Sequence, residues 1–138
     1  MTSRTRPLSP HLQLYSIKPL YWVLSFLAVL SFGHRVTGIV LMIGTLLLAF
    51  WLGSAAFGPD AYNFASSLLG SWIGLLVLLG WTFCLWFHLL NGVRHLFWDC
   101  GLGFSLKIAV PSGYLVLLAT CGLTVLTWAP WVYSKLIA

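Results

Sequence analysis

Three long apolar stretches dominate the chain, and short polar or glycine-containing breaks separate them. The stretches cover about residues 20–52, 68–98 and 108–133. Each exceeds the ~20 residues that a helix needs to cross a bilayer. Gly-Pro-Asp at residues 58–60 and Gly-Leu-Gly at residues 101–103 mark the two breaks. The pattern predicts an all-α integral membrane protein of one domain, residues 1–138, with three transmembrane helices.

Composition supports a membrane setting over an aqueous one. Hydrophobic residues make up 60% of the chain and charged residues only 7%, whereas soluble domains carry about 25% charged residues. The net charge of +5 comes from scattered basic residues that form no patch, so no nucleic-acid partner is indicated. The three cysteines show no CxxC spacing, which argues against a disulfide framework and against a zinc site.

The basic residues also predict an orientation. Lys and Arg collect at the cytoplasmic ends of spans, and here they precede the first span and flank the second break but are missing from the first break. The N-terminus and the second break are therefore expected on the cytoplasmic or matrix side. The first residues lack the apolar core of a secretory signal, which favours a bacterial inner-membrane protein or a processed mitochondrial one. Most tryptophans lie near span ends, but Trp81 and Trp86 lie deeper.

Polar groups inside the first span form one candidate site. Ser31, His34, Arg35 and Gly38 have the spacing of a single helical face. An arginine near the bilayer centre costs ~3 kcal/mol or more, so it persists only where something compensates its charge. This face could hydrogen-bond a carbonyl and neutralise a carboxylate, and the glycine would admit a flat ligand. The alternative is that Arg35 reaches the interface and His34 hydrogen-bonds a neighbouring helix.

The second span carries a second candidate site. His88, Gly92 and His95 share one helical face, whereas Arg94 points away from it. Neutral imidazole is a ligand of haem iron, and Gly92 would leave room for a macrocycle. His95 lies about 10 Å from His88 along the same helix and cannot reach the opposite haem face. A second ligand would come from His34 or from another subunit. The alternative is that these histidines only pack against other helices.

Three segments in order resemble motifs of the cytochrome b556 subunits of succinate dehydrogenase, or complex II. They are RPLSPH at residues 6–11, SFGHRVTG at residues 31–38 and HLLNGVRHLFWD at residues 88–99. The resemblance covers about residues 6–107, and the third span matches only as a generic apolar helix. Three ordered motifs are much more specific than any one alone. The resemblance implies that the three spans form half of a heterodimeric anchor bundle.

The resemblance also implies a role for individual residues. His88 matches the axial ligand of haem b, and the second ligand comes from a histidine of a second, smaller anchor subunit. Ser31 and Arg35 match residues that line the ubiquinone pocket. His34, Arg35 and His95 match groups near the haem propionates. Residues 6–11 match the segment that meets the iron–sulfur subunit.

The implied function is that of a haem- and quinone-binding anchor subunit of succinate dehydrogenase. Such a subunit passes electrons from the iron–sulfur subunit to ubiquinone, in the tricarboxylic acid cycle and the respiratory chain, while a flavoprotein subunit oxidises succinate. The chain alone is not a complete enzyme. An anchor of fumarate reductase type would use the same arrangement. The residues by themselves also fit a haem-free transporter or proton relay through His34, His88 and His95, or a purely structural subunit.

Overall fold

The computed structural model describes residues 18–137, with side chains from residue 25 onward, and this part of the chain is helical almost throughout. Its helices are α1 (Lys18–Ser54), α2 (Pro59–Gly70), α3 (Trp72–Asp99) and α4 (Leu106–Ile137), and a 3₁₀ turn (Ala55–Phe57) follows α1. Helices α1, α3 and α4 are long and apolar enough to cross a membrane. The predicted all-α fold with three spanning helices is confirmed. The predicted contact segment at residues 6–11 lies outside the described residues.

The connection between α1 and α3 contains a helix that the apolar pattern does not predict. Residues 59–70 form α2, so the second spanning helix begins at Trp72 and not near residue 68. Gly58 has a φ of 101°, a conformation that favours glycine. Pro59 then occupies the first turn of α2, where a missing N–H costs no hydrogen bond. The Gly-Pro-Asp break therefore ends one helix and also starts the next.

A second break at Ser71 separates α2 from α3. Ser71 is extended, with φ −66° and ψ 159°, and its Oγ accepts a hydrogen bond of 3.1 Å from the backbone N–H of Gly74. A Cβ on Gly74 would overlap the carbonyls of Leu68 and Leu69, so the sharp turn requires a glycine at this position. Apolar residues continue on both sides of Ser71, and for this reason hydropathy does not reveal the break.

Helix α3 packs against both α1 and α4 and organises the bundle. Each of these helices gives one side chain to the small buried core, namely Leu30, Phe87 and Val116. Most large apolar side chains are exposed, and examples are Phe32 at 69% and Leu118 at 72%. Apolar surface on this scale is stable against lipid or other apolar helices but not against water.

The two deep tryptophans hold helices together. Trp86 Nε1 donates a 3.0 Å hydrogen bond from α3 to Thr127 Oγ1 on α4. The Trp81 indole packs over Gly44 of α1, where a Cβ would overlap the indole nitrogen. Hydrogen bonds between membrane helices contribute on the order of 1 kcal/mol each. These contacts explain why Trp81 and Trp86 lie away from the interfacial belt.

Candidate functional site

Helices α1 and α3 bring three histidines together at one end of the bundle. The rings of His34 and His88 stack, with 3.9 Å between their centroids and 10° between their planes. His95, two turns beyond His88 on α3, has its ring centroid 5.2 Å from that of His34. All three side chains are half-buried. We call these residues the histidine cluster, and it joins the two candidate faces that were identified separately in the sequence.

Two glycines allow the close approach of the helices at the histidine cluster. A Cβ on Gly38 would lie 3.1 Å from Cε1 of His88, which is tighter than an ordinary van der Waals contact. A Cβ on Gly92 would lie 3.6 Å from Cε1 of His34, at ordinary contact distance. Gly38 therefore gives the His88 ring its room. Gly92 faces the opposite helix, beside the ring of His34.

The hydrogen bonds of His88 determine which of its ring nitrogens carries the proton. Nδ1 lies 3.0 Å from the carbonyl oxygen of His34 and 3.2 Å from Oγ1 of Thr37. A carbonyl can only accept, so the first contact requires a proton on Nδ1. In the neutral ring the lone pair is then on Nε2, which makes no hydrogen bond among the described residues. No role is predicted for Thr37 from the sequence, although it lies one turn after His34.

His34 carries a buried polar atom without a partner. Its Nδ1 is shielded from the surroundings and makes no hydrogen bond within the part of the chain that the structure describes. Unpaired buried polar groups cost about 1–3 kcal/mol and call for an explanation, such as an unseen ligand or water. The histidine cluster therefore contains one buried nitrogen whose hydrogen-bonding capacity is unused within the described residues.

Ser31 and Arg35 lie on α1 next to the histidine cluster but do not join it. Ser31 is half-buried one turn before His34, and Arg35 is exposed. Neither takes part in a hydrogen bond among the described residues. Within the described part of the chain, both polar groups therefore keep unused hydrogen-bonding capacity.

Arg94 is buried in the interface between α3 and α4, on the side away from the histidines. Only 7% of it is exposed. Its guanidinium donates to the carbonyl of Ala109 at 2.8 Å, to Oγ of Ser112 at 3.0 Å and to Oδ1 of Asn91 at 3.3 Å. It also lies 4.1 Å from the ring centroid of Trp98. These neutral groups and the indole face stabilise its charge.

Asn91 extends this network to the first helix. It is fully buried, and its Nδ2 donates a long hydrogen bond of 3.5 Å to the carbonyl of Leu30. Leu30 directly precedes the predicted site residue Ser31. Hydrogen bonds of Arg94 and Asn91 therefore link α1, α3 and α4 next to the candidate site. The sequence placed Arg94 away from the histidine face but did not reveal what it contacts.

A separate cavity of about 770 Å³ lies toward the other end of the bundle, between α1, α2 and α3. Aliphatic side chains form most of its wall, together with Trp51, Tyr62 and Trp81. None of the residues predicted for the site lines it. The cavity depends on α2, which explains why the sequence analysis did not predict it.

Three spanning helices with an intramembrane histidine cluster define a membrane-embedded protein whose costly polar groups mark a candidate functional site. Residues 2–127 match the family described as Succinate dehydrogenase/Fumarate reductase transmembrane subunit. The chain belongs to this family, as one of its cytochrome b anchor subunits. The family resemblance found in the three motifs is thus confirmed.

Individual relatives agree with this assignment. The chain is 39% identical over 122 residues to the succinate dehydrogenase cytochrome b556 subunit of Paracoccus denitrificans, with 88% of each chain covered. It is 35% identical over 123 residues to the subunit of the same name from Rickettsia felis, covering 89% of this chain and 90% of the relative. It is 37% identical over 122 residues to the mitochondrial succinate dehydrogenase cytochrome b560 subunit of Sus scrofa, and the match covers 83% of this chain and 65% of the relative.

The family defines the setting in which this chain works. It is a multi-pass membrane protein with bacterial and mitochondrial relatives. Members of its kind are non-catalytic membrane subunits of the succinate:quinone oxidoreductase complex.

Proposed function

We propose that this subunit binds haem b through His88 and ubiquinone through Ser31 and Arg35, and passes electrons from the iron–sulfur subunit of succinate dehydrogenase to the quinone. The observation that carries the proposal is the hydrogen bond from His88 Nδ1 to the His34 carbonyl. Metal-binding histidines typically donate their second ring N–H to such an acceptor, which leaves the other nitrogen for the metal.

The histidine cluster also fits the rest of a haem. The unpartnered Nδ1 of His34 would gain a partner from a propionate oxygen or from a water bound to it. His95 and the exposed Arg35 supply further donors for the propionates on the same side of the bundle. When bound, haem b would supply one-electron redox chemistry, and the protein supplies position and electrostatics.

The second axial ligand comes, in this proposal, from the second anchor subunit. Two axial imidazoles bind opposite faces of a haem, with the iron between them. His34 and His88 instead stack face to face at 3.9 Å, so no iron fits between their rings. His95 lies on the same helix as His88. Among the residues that the structure describes, only His88 would therefore serve as an axial ligand, and the haem would be shared between two subunits.

Quinone binding rests on the two open polar groups of α1. The Ser31 hydroxyl would donate a hydrogen bond to a quinone carbonyl. The Arg35 guanidinium would stabilise the negative charge that develops on the quinone oxygen as it accepts electrons. Both residues lie within one turn of His34, so quinone and haem would occupy neighbouring positions.

The partners of the proposal are the second membrane anchor, the iron–sulfur subunit and the flavoprotein subunit. The large exposed apolar surface of α1 and α3 is suited to another helical subunit as well as to lipid. The positive-inside rule would place the N-terminus, and with it the iron–sulfur subunit, on the cytoplasmic or matrix side. The family description covers succinate dehydrogenase and fumarate reductase alike, and the same arrangement would serve an anchor of either type.

Absorption spectroscopy of the purified complex tests the haem assignment. In His88→Ala, we expect the reduced-minus-oxidised haem bands and the pyridine haemochrome signal to disappear. The amount of assembled complex, measured by native electrophoresis, identifies a variant that fails to assemble. Leu89→Ala, an exposed neighbour on α3, is the control and should keep its haem. Unchanged haem bands in assembled His88→Ala would remove the ligand assignment.

A further inference from the structure

The Thr37 side chain is part of a partly buried triangle of three hydrogen-bonding groups. The other two are the His34 carbonyl and Nδ1 of His88. Thr37 Oγ1 lies 3.0 Å from the carbonyl and 3.2 Å from Nδ1, and Nδ1 lies 3.0 Å from the carbonyl. Thr37 is only 8% exposed, so solvent does not compete for these contacts.

The chemistry of the three groups fixes the direction of each hydrogen bond. The carbonyl accepts from the Thr37 hydroxyl and from His88 Nδ1–H, because it has two lone pairs and no proton. With its own proton directed to the carbonyl, the Thr37 oxygen presents a lone pair to His88. The Nδ1–H proton of His88 is therefore shared between two acceptors on α1.

We propose that Thr37 is a positioning residue for His88, and that it sets the orientation and the electron-donating strength of this imidazole. The inference rests on the proposed function, in which His88 Nε2 binds the haem iron. An acceptor at Nδ1–H makes the opposite nitrogen more basic, and outer partners of this kind tune the metal that a histidine binds. A more basic ligand favours ferric over ferrous iron, so the Thr37 hydroxyl lowers the haem reduction potential.

A threonine hydroxyl that hydrogen-bonds only to a carbonyl of its own helix would not change the haem reduction potential. Threonine commonly donates to a carbonyl one turn earlier, and Thr45 does so to Met42 at 2.6 Å. Thr45 makes no hydrogen bond to a histidine in the described part of α1. Thr37 differs from it by the second contact, which crosses to α3. The two residues therefore form a matched pair on one helix.

Redox titration and EPR spectroscopy of the haem in the intact complex test the inference. Valine keeps the shape of threonine and removes the hydroxyl, whereas serine keeps the hydroxyl. We expect Thr37→Val to raise the haem reduction potential and to shift the low-spin g values. Thr37→Ser and the control Thr45→Val should retain wild-type values. Loss of haem in Thr37→Val but not in Thr37→Ser would support the same role for the hydroxyl.

Two results would overturn the inference. One is a wild-type potential and wild-type g values in Thr37→Val. The other is an equal change in Thr37→Val and Thr37→Ser, because the hydroxyl would then not be the cause. If haem bands persist in His88→Ala, the proposed function itself fails. If they vanish there while Thr37→Val behaves as wild type, only the role of Thr37 fails.

Discussion

Thr37, Asn91 and Arg94 are polar side chains inside the bundle, and each donates a hydrogen bond to a backbone carbonyl. In a membrane interior no water is available to replace such partners. The main chain of a neighbouring turn or helix therefore satisfies these groups. Nδ1 of His34 and Nε1 of Trp81 are buried side-chain atoms without a partner in the described part of the chain. At the residue scale, only the unpartnered nitrogen of His34 belongs to the histidine cluster, where a ligand would satisfy it.

Sequence spacing predicts which histidines share a helical face, but it does not predict how two helices meet. The periodicity of 3.6 residues placed His34 with Gly38, and His88 with His95. The stacking of His34 on His88 depends on the rotation of α1 against α3, which no local pattern encodes. The second contact of Thr37 and the partners of Arg94 were missed for the same reason.

The proposed quinone contacts give a prediction at the residue scale. We expect Ser31→Ala and Arg35→Ala to raise the KM for ubiquinone and to lower its reduction rate, by about tenfold or more for Arg35→Ala. The reason is that hydrogen bonds to charged groups contribute ~1.5–3 kcal/mol. Steady-state assays of succinate oxidation, with ubiquinone or with a soluble dye as acceptor, separate this effect from damage to the flavoprotein.

The dye-linked rate should remain normal in both variants. Val36→Ala, which changes an exposed apolar neighbour, is the control and should leave both rates unchanged. Normal ubiquinone kinetics in Ser31→Ala and Arg35→Ala together would show that these residues do not contact the quinone.

At the element scale, small residues decide how closely the helices approach. Trp81 of α3 fills the space over Gly44 of α1, and Gly113 of α4 faces Leu30 of α1, where a Cβ would lie 2.6 Å from Cδ1. Hydropathy predicted the three spanning helices because lipid demands long apolar stretches. It did not predict α2 or the break at Ser71. Gly58 and Pro59 start α2, and the break depends on the capping Ser71 and on Gly74, whose missing side chain lets α3 begin close to the end of α2.

The contact between Gly44 and Trp81 gives a prediction for α1. Overpacking an interior typically costs about 1–3 kcal/mol. We therefore expect Gly44→Ala to lower the thermal denaturation temperature of the complex in detergent. In the double variant Gly44→Ala/Trp81→Phe, the smaller ring should restore part of the lost denaturation temperature. The effects of the two substitutions on this temperature are then not additive.

Gly53 provides the matched control for this measurement. It also lies in α1, but a Cβ there would meet nothing within 4 Å. Gly53→Ala should be neutral or slightly stabilising, because alanine favours a helix over glycine by ~1 kcal/mol. Equal denaturation temperatures for Gly44→Ala and Gly53→Ala would contradict the close approach of Trp81 to α1.

At the scale of the whole molecule, the bundle has little interior of its own. The apolar windows of the three spanning helices are 11%, 6% and 28% buried within the chain. The remaining surface faces lipid or other subunits. Composition predicted this membrane setting, because 7% charged residues cannot cover a surface in water. Composition does not show which apolar face binds a subunit and which binds lipid, because both environments are equally apolar.

The orientation of the bundle is testable with an impermeant maleimide. We expect Ala56→Cys, in a Cys100→Ser background, to react in intact spheroplasts of a bacterial host and not in sealed inverted vesicles. The physical reason is that the break near residue 58 carries no Lys or Arg and should lie outside. Ser134→Cys, near the C-terminus, should react from the same side. Labelling of both only in inverted vesicles would show that the orientation is reversed.

We propose that costly imidazole and guanidinium groups persist within the spans because a haem and a quinone lie beside them. A cryo-EM map of the intact complex tests it most directly. We expect density for a haem on Nε2 of His88, with a histidine of the second anchor as its other ligand, and density for a quinone head group beside Ser31 and Arg35. Aliphatic side chains filling the space beside the histidine cluster, with no room for either molecule, would contradict it.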